Sequence, residues 1–85
     1  MKMKYIMIGR VPHIFPESEP HLDVARRLTG NMLKKVTSAG FCAVGYDPKM
    51  EHDAWTCWGE SIGLNIKSQE KDAMLFNIAF RANPY

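Results

Sequence analysis

His13, His21, Asp23, Cys42, His52 and Cys57 are the residues of this 85-residue chain whose types could ligate a metal ion or activate a nucleophile. Their spacing argues against both. None falls into a compact pattern such as CxxC or HExxH, whereas zinc sites usually draw at least two ligands from one tight local motif. His21 and Asp23 are two apart on a predicted helix and so do not share a face. A nucleophilic cysteine needs a lowered pKa and a base at hand. Cys42 and Cys57 lie inside apolar stretches, which favour the thiol, and His52 has only Asp53 beside it to orient its ring. The residues therefore predict no metal, no cofactor and no catalytic cysteine.

Paired carboxylates are the next candidate. Acid–base chemistry needs two of them in one cleft with separated pKa values. Glu17, Glu19 and Asp23 cluster at a helix start, where they read as a solvated loop and a complement to the helix dipole. Glu60 sits in a predicted strand and must point outward or find a partner. Arg26, Arg27, Lys34 and Lys35 together with Trp55 and Trp58 carry the groups of a single-strand nucleic-acid site. Trp55 and Trp58 are three apart, so a regular strand sends them to opposite faces and at least one belongs to the core. A net charge of +2 and a pI near 8.6 are weak for a nucleic-acid binder. A nucleic-acid-binding module is thus the alternative reading.

The elements that must position these residues follow from turn signals and apolar spacing. Residues 5–8 (Tyr-Ile-Met-Ile) predict a buried strand ending at Gly9. Residues 11–15 would pair with it through a Gly9-Arg10 turn, as an edge strand, because Pro12 cannot donate a ladder hydrogen bond. Ser18 is the expected N-cap of a helix over residues 21–29, stopped by Gly30. Leu22, Ala25 and Leu28, with Val24 beside them, form its apolar face. Residues 36–46 predict a strand in which Gly40 marks a bulge or a close backbone approach. Residues 47–53 are turn chemistry, and residues 54–66 the return strand. A hairpin symmetric about Lys49 and Met50 sets Cys42 opposite Cys57, Val44 opposite Trp55 and Phe41 opposite Trp58. Opposed Cβ atoms lie about 4.5–5.5 Å apart, so a cross-strand disulfide is open to the two cysteines if the geometry tolerates it. Ser68 should cap a last helix over residues 69–79, with Met74, Leu75 and Ile78 as its core stripe. Phe76 and Phe80 lie on another face; a helix apolar on most of its circumference is either deeply buried or in contact with another chain, here a second copy.

A chain of this length makes one domain with a small core. Hydrophobic residues at 46% and charged residues at 24% exclude wholesale disorder. No apolar run approaches the roughly 20 residues needed to cross a bilayer. The stretch after Met1-Lys2-Met3-Lys4 is too short for a signal peptide, so the expected location is the cytoplasm, with the cysteines as thiols.

Several short pieces, in order, carry a resemblance: Ile14-Phe15-Pro16-Glu17, then His21-Leu22-Asp23-Val24-Ala25, Thr37-Ser38-Ala39-Gly40-Phe41, and Gly59-Glu60-Ser61-Ile62-Gly63-Leu64 with residues 68–72 after it. Together they resemble small uncharacterised proteins of tailed phages and prophages, over about residues 5–75. The resemblance implies a virus-related protein in the cytoplasm of a bacterial host and implies no activity. It also fits a structural account in which His21 bonds a strand carbonyl and Phe15-Pro16 locks over the helix start. The expectation is an α+β domain: a small, mostly antiparallel four-stranded sheet with two helices, in the order ββαββα. The expected function is that of a non-enzymatic accessory protein, a homo-oligomer and specifically a homodimer, acting on a host or phage protein. Its candidate interaction surface is Phe15, Glu17, His21, Asp23, Phe76 and Phe80.

Overall fold

The computed structural model describes residues 2–80. The fold is α+β. Strands β1 (Met3–Ile8) and β2 (Val11–Phe15) form a hairpin, followed by helix α1 (His21–Thr29) and a short 3-10 turn (Leu33–Lys35). Strands β3 (Val36–Asp47) and β4 (His52–Trp58) form a second hairpin. A two-residue pair, β5 (Glu60–Ser61) and β6 (Ile66–Lys67), precedes helix α2 (Asp72–Ala79). The main sheet is antiparallel in the order β2-β1-β3-β4, so β2 with its Pro12 lies at an edge.

Successive side chains of a strand point to opposite faces, and β1 feeds both faces of the sheet. Ile6 joins Phe15, Val24, Ala25, Val36 and Ala39 under α1. Tyr5 and Met7 join Cys42 and Phe76 under α2. The two helices thus cover opposite faces of the sheet, and β1 is buried on both. The hairpin register is the expected one: Cys42 faces Cys57, Val44 faces Trp55 and Phe41 faces Trp58. Asp47 starts the connecting turn by accepting the Lys49 N–H on its own carboxylate at 2.9 Å, the Asx-turn geometry. Gly30 ends α1 in the left-handed conformation at φ 61°, and its N–H bonds the Arg26 carbonyl.

Five local expectations are corrected. The return strand does not run to residue 66. It ends at Trp58, because Gly59 takes φ +82° and redirects the chain into the separate β5–β6 hairpin. Ser18 is not the N-cap of α1; Pro20 holds that position without a side-chain bond. The buried face of α1 consists of His21, Val24, Ala25 and Thr29, while Leu28 is exposed. Ser68 does not cap α2 either, since the helix begins only at Asp72 and the Ser68 hydroxyl turns to Tyr5 instead. The expected core stripe of α2 holds at Leu75, which packs against the core, and fails at its other two positions. Phe76 is fully buried, and Met74 and Ile78 are 59% and 64% exposed.

Candidate interaction surfaces and the buried polar cluster

Three arrangements bring functional side-chain types together. The first is the seam between α1 and β3. His21 is buried, and its Nε2–H donates to the Gly40 carbonyl at 2.8 Å. Its ring meets Phe15 and Phe41 edge-to-face at centroid distances of 5.5 and 5.8 Å. Burial lowers the imidazole pKa, with Lys4 acting in the same direction, against the opposing pull of the Gly40 carbonyl. A neutral imidazole with its proton on Nε2 follows. Phe41 in turn stacks on Trp58 at 6.5 Å and lies 4.9 Å beneath the Lys2 ammonium. Gly40 is required where it stands, because a Cβ there would meet the Trp58 carbonyl oxygen at 2.4 Å. Beside this seam lies a groove of about 520 Å³, lined by Lys4, His21, Leu22, Phe41, Glu60 and Ile62.

The second arrangement is a buried polar cluster beneath the start of α2. Tyr5 Oη donates to Asp72 Oδ2 at 2.5 Å and lies 2.7 Å from Ser68 Oγ. A tyrosine has one hydroxyl proton. With that proton given to Asp72, Ser68 donates to Tyr5. The Gln69 amide donates to the same Asp72 oxygen at 2.9 Å. Asp72 Oδ1 and Ser38 Oγ are buried with no hydrogen-bond partner among the described residues. Burial, and then the bond to Asp72, raise the Tyr5 pKa far above its ordinary value. Burial pushes the Cys42 thiol up to about 11 and the Cys57 thiol up to about 12. Tyr5 and Asp72 are fully enclosed. The arrangement fixes the first turn of α2 to β1, and its Tyr5 and Asp72 side chains are closed to solvent.

The third arrangement is the outer side of α2. The run Ala73-Met74-Leu75-Phe76-Asn77-Ile78-Ala79-Phe80 contains no charged residue. Phe76 and Leu75 pack inward. Met74 and Ile78, four apart and therefore on one helix face, point to solvent together. Asn77 reaches the edge strand: its Oδ1 accepts the Trp55 N–H at 2.8 Å, and its Nδ2 donates to the Ala73 carbonyl at 2.9 Å.

The six expected surface residues are thereby divided. Phe15 and His21 are buried parts of the α1 seam, and the bond from His21 to a strand carbonyl is the expected structural one. Glu17 is exposed and pairs with Lys2 at 3.2 Å. Asp23 is exposed on the first turn of α1. Phe76 is core, packed against Tyr5 at 4.9 Å and Trp55 at 5.2 Å, and cannot meet another chain. Phe80 is partly exposed beside Trp55. The Tyr5–Asp72 pair was missed because its partners are 67 residues apart; a charged residue opening an apolar run was the one available signal.

Among the described residues no group of three or more His, Cys, Asp or Glu side chains is placed to hold a metal ion. Among the same residues no helix is long and apolar enough to cross a membrane. Comparison with family models, with curated proteins and with solved structures gave no match, so the functional reading rests on the geometry above.

Proposed function

We propose that this chain is a non-enzymatic interaction protein, a phage or prophage accessory protein working on a host or phage protein in the bacterial cytoplasm. The observation that carries the reading is the outward face of α2. Exposed single apolar residues are ordinary, but two long ones stacked on one helix face, in a run without charge, mark a contact surface. Residues able to do chemistry are spent elsewhere: His21 ties α1 to β3, and Tyr5 and Asp72 tie α2 to β1. The partner that fits is a protein presenting an apolar groove to a short helix.

The test is capture of partners from bacterial lysate with the wild type and with a Met74→Lys, Ile78→Lys double variant. Both positions are exposed, so the variant keeps its fold and its thermal transition within about 0.5 kcal/mol. A partner bound by the wild type and lost by the variant supports the reading. Equal capture by both, or capture by neither, rejects it.

A further inference from the structure

The charges of this molecule are sorted along its length. Its dimensions are 40 × 21 × 19 Å. The 12 residues of β3 alone span about 36 Å at ~3.3 Å per residue. β3 therefore runs nearly from one end to the other, and what flanks its two termini defines the two ends.

At its start stand Lys34 and Lys35. Ile8 pairs with Val36, and Thr37 Oγ1 donates to the Gly9 carbonyl at 3.1 Å, which brings the β1–β2 turn with Arg10 to the same end. The last turn of α1, with Arg26, packs against the 3-10 turn there. Residues 24–46 contain no Asp or Glu. Among the described residues the ion pairs are Lys2–Glu17 and Arg27–Glu19, so Arg10, Arg26, Lys34 and Lys35 enter none. Glu70, which follows Gln69 at the Thr37 carbonyl, has Lys71 beside it. Exposed apolar groups accompany these cations: Val11, Leu28 and Met32. Val11 and Leu28 also line a groove of about 570 Å³ between β2 and α1.

At the other terminus of β3 the hairpin projects past β1, whose pairing stops at Cys42. This tip carries Asp47, Glu51 and Asp53 against one lysine, Lys49. It too exposes apolar side chains: Val44, Tyr46 and Met50. Each end thus has an apolar patch beside a set of charges, and the two sets have opposite sign. An apolar centre with complementary charges around it is the anatomy of a specific protein contact.

We infer that the hairpin tip of one copy docks on the basic end of a second copy, head to tail. Tyr46 and Met50 supply the apolar contact to Val11, Leu28 and Met32, and Glu51 and Asp53 face Lys34 and Lys35. Such a contact is heterologous. Each copy retains one unused tip and one unused basic end, so addition continues into an open chain instead of closing at a dimer. This inference goes beyond the proposed partner on α2 and uses none of its residues.

Analytical ultracentrifugation of the full chain tests it with two charge reversals, Lys34→Glu with Lys35→Glu and Glu51→Lys with Asp53→Lys. In low salt the wild type should show a mass that climbs past the dimer with concentration and returns toward the 9.7 kDa monomer in 0.5 M salt, roughly where the screening length falls below 5 Å. Each reversal alone should be monomeric, and an equimolar mixture of the two should associate again, because each restores the sign the other lacks. The Met74→Lys, Ile78→Lys variant should associate like the wild type. Circular dichroism checks the fold of each variant, and the wild-type salt titration reads the contact without any substitution. A monomeric wild type near 1 mM in low salt overturns the inference, as does a mass that stops at the dimer. It also fails if association survives either reversal, or if the mixture stays monomeric. Association lost only by the α2 variant would place self-contact on α2 instead.

Discussion

Asn77 occupies the backbone amide of Trp55, so a side chain of α2 stands where a further strand would otherwise add to β4. Edge strands carry unpaired N–H and C=O groups that invite pairing with other chains. Asn77→Ala removes the acceptor for Trp55 and the donor for Ala73 together. The expected cost is about 1–2 kcal/mol for the part-buried amide left without a partner. A denaturant titration measures that cost, and light scattering should show more aggregation on warming than the wild type shows. An unchanged midpoint would mean that water replaces Asn77 at no cost.

His21 makes stability depend on pH in a direction fixed by its environment. Burial lowers its folded-state pKa below the ordinary 6.5, so the unfolded chain takes up the proton more readily. This contribution is complete above about pH 6.5 and is lost as pH falls through the folded-state value. Urea midpoints between pH 8 and pH 5 should fall toward acid. His21→Gln should lessen the fall while lowering the midpoint at pH 8, where the Gly40 carbonyl loses its imidazole donor. The same slope in both proteins would remove His21 as its source.

The Tyr5–Asp72 pair should couple strongly. Tyr5→Phe takes away the hydroxyl that reaches both Asp72 and Ser68. Leaving a buried hydrogen-bonding group without its partner costs about 1–3 kcal/mol, and the loss should fall in that range. Tyr5→Phe with Asp72→Ala should cost less than the two single changes added together, since each removes the same bond. Additive costs in a double-mutant cycle would mean that the two groups act independently.

Cys42 and Cys57 should be inert in the native protein. With pKa values of about 11 and about 12, roughly 0.1% or less of either thiol is ionised at pH 8, and the thiolate is the reactive species. Cys42 is also fully buried. A thiol reagent at pH 8 should label the folded chain orders of magnitude more slowly than the chain in denaturant. Fast native labelling would contradict the burial of Cys42 or the raised pKa of the half-buried Cys57. Both are thiols in the structure although they oppose one another across the hairpin.

The parts of this fold that were legible in the sequence are those set by local chemistry. The β3–β4 register followed from a turn whose Asp47 and Pro48 fix its place. The end of α1 followed from Gly30, and the edge position of β2 from Pro12. Distance along the chain hid the rest. Four apolar residues in succession at the start of α2 carry no helical period, and only the sheet, through Tyr5 and Cys42, decides that Phe76 turns inward. The break at Gly59 depends on a positive φ that the composition of residues 54–66 does not announce. His21 was legible as a residue bonding a strand carbonyl, but the rings of Phe15 and Phe41 around it were not. The charge sorting along β3 needed the topology, because Arg10 and Lys35 are 25 positions apart until β1 pairs with β3.

The extra length of β3 has a consequence for how the chain acquires its structure. Its hairpin with β4 closes over a short turn, and hairpins of that kind form in about 1–10 μs. Its pairing with β1 must close a loop that holds β2 and all of α1, and non-local pairings of this sort slow folding. The β3–β4 ribbon can therefore assemble first and present an unfinished side until β1 arrives. Beyond Cys42 that side never receives β1 at all. In the finished molecule the end of the ribbon therefore keeps one side without β1, as the whole ribbon would if it formed first.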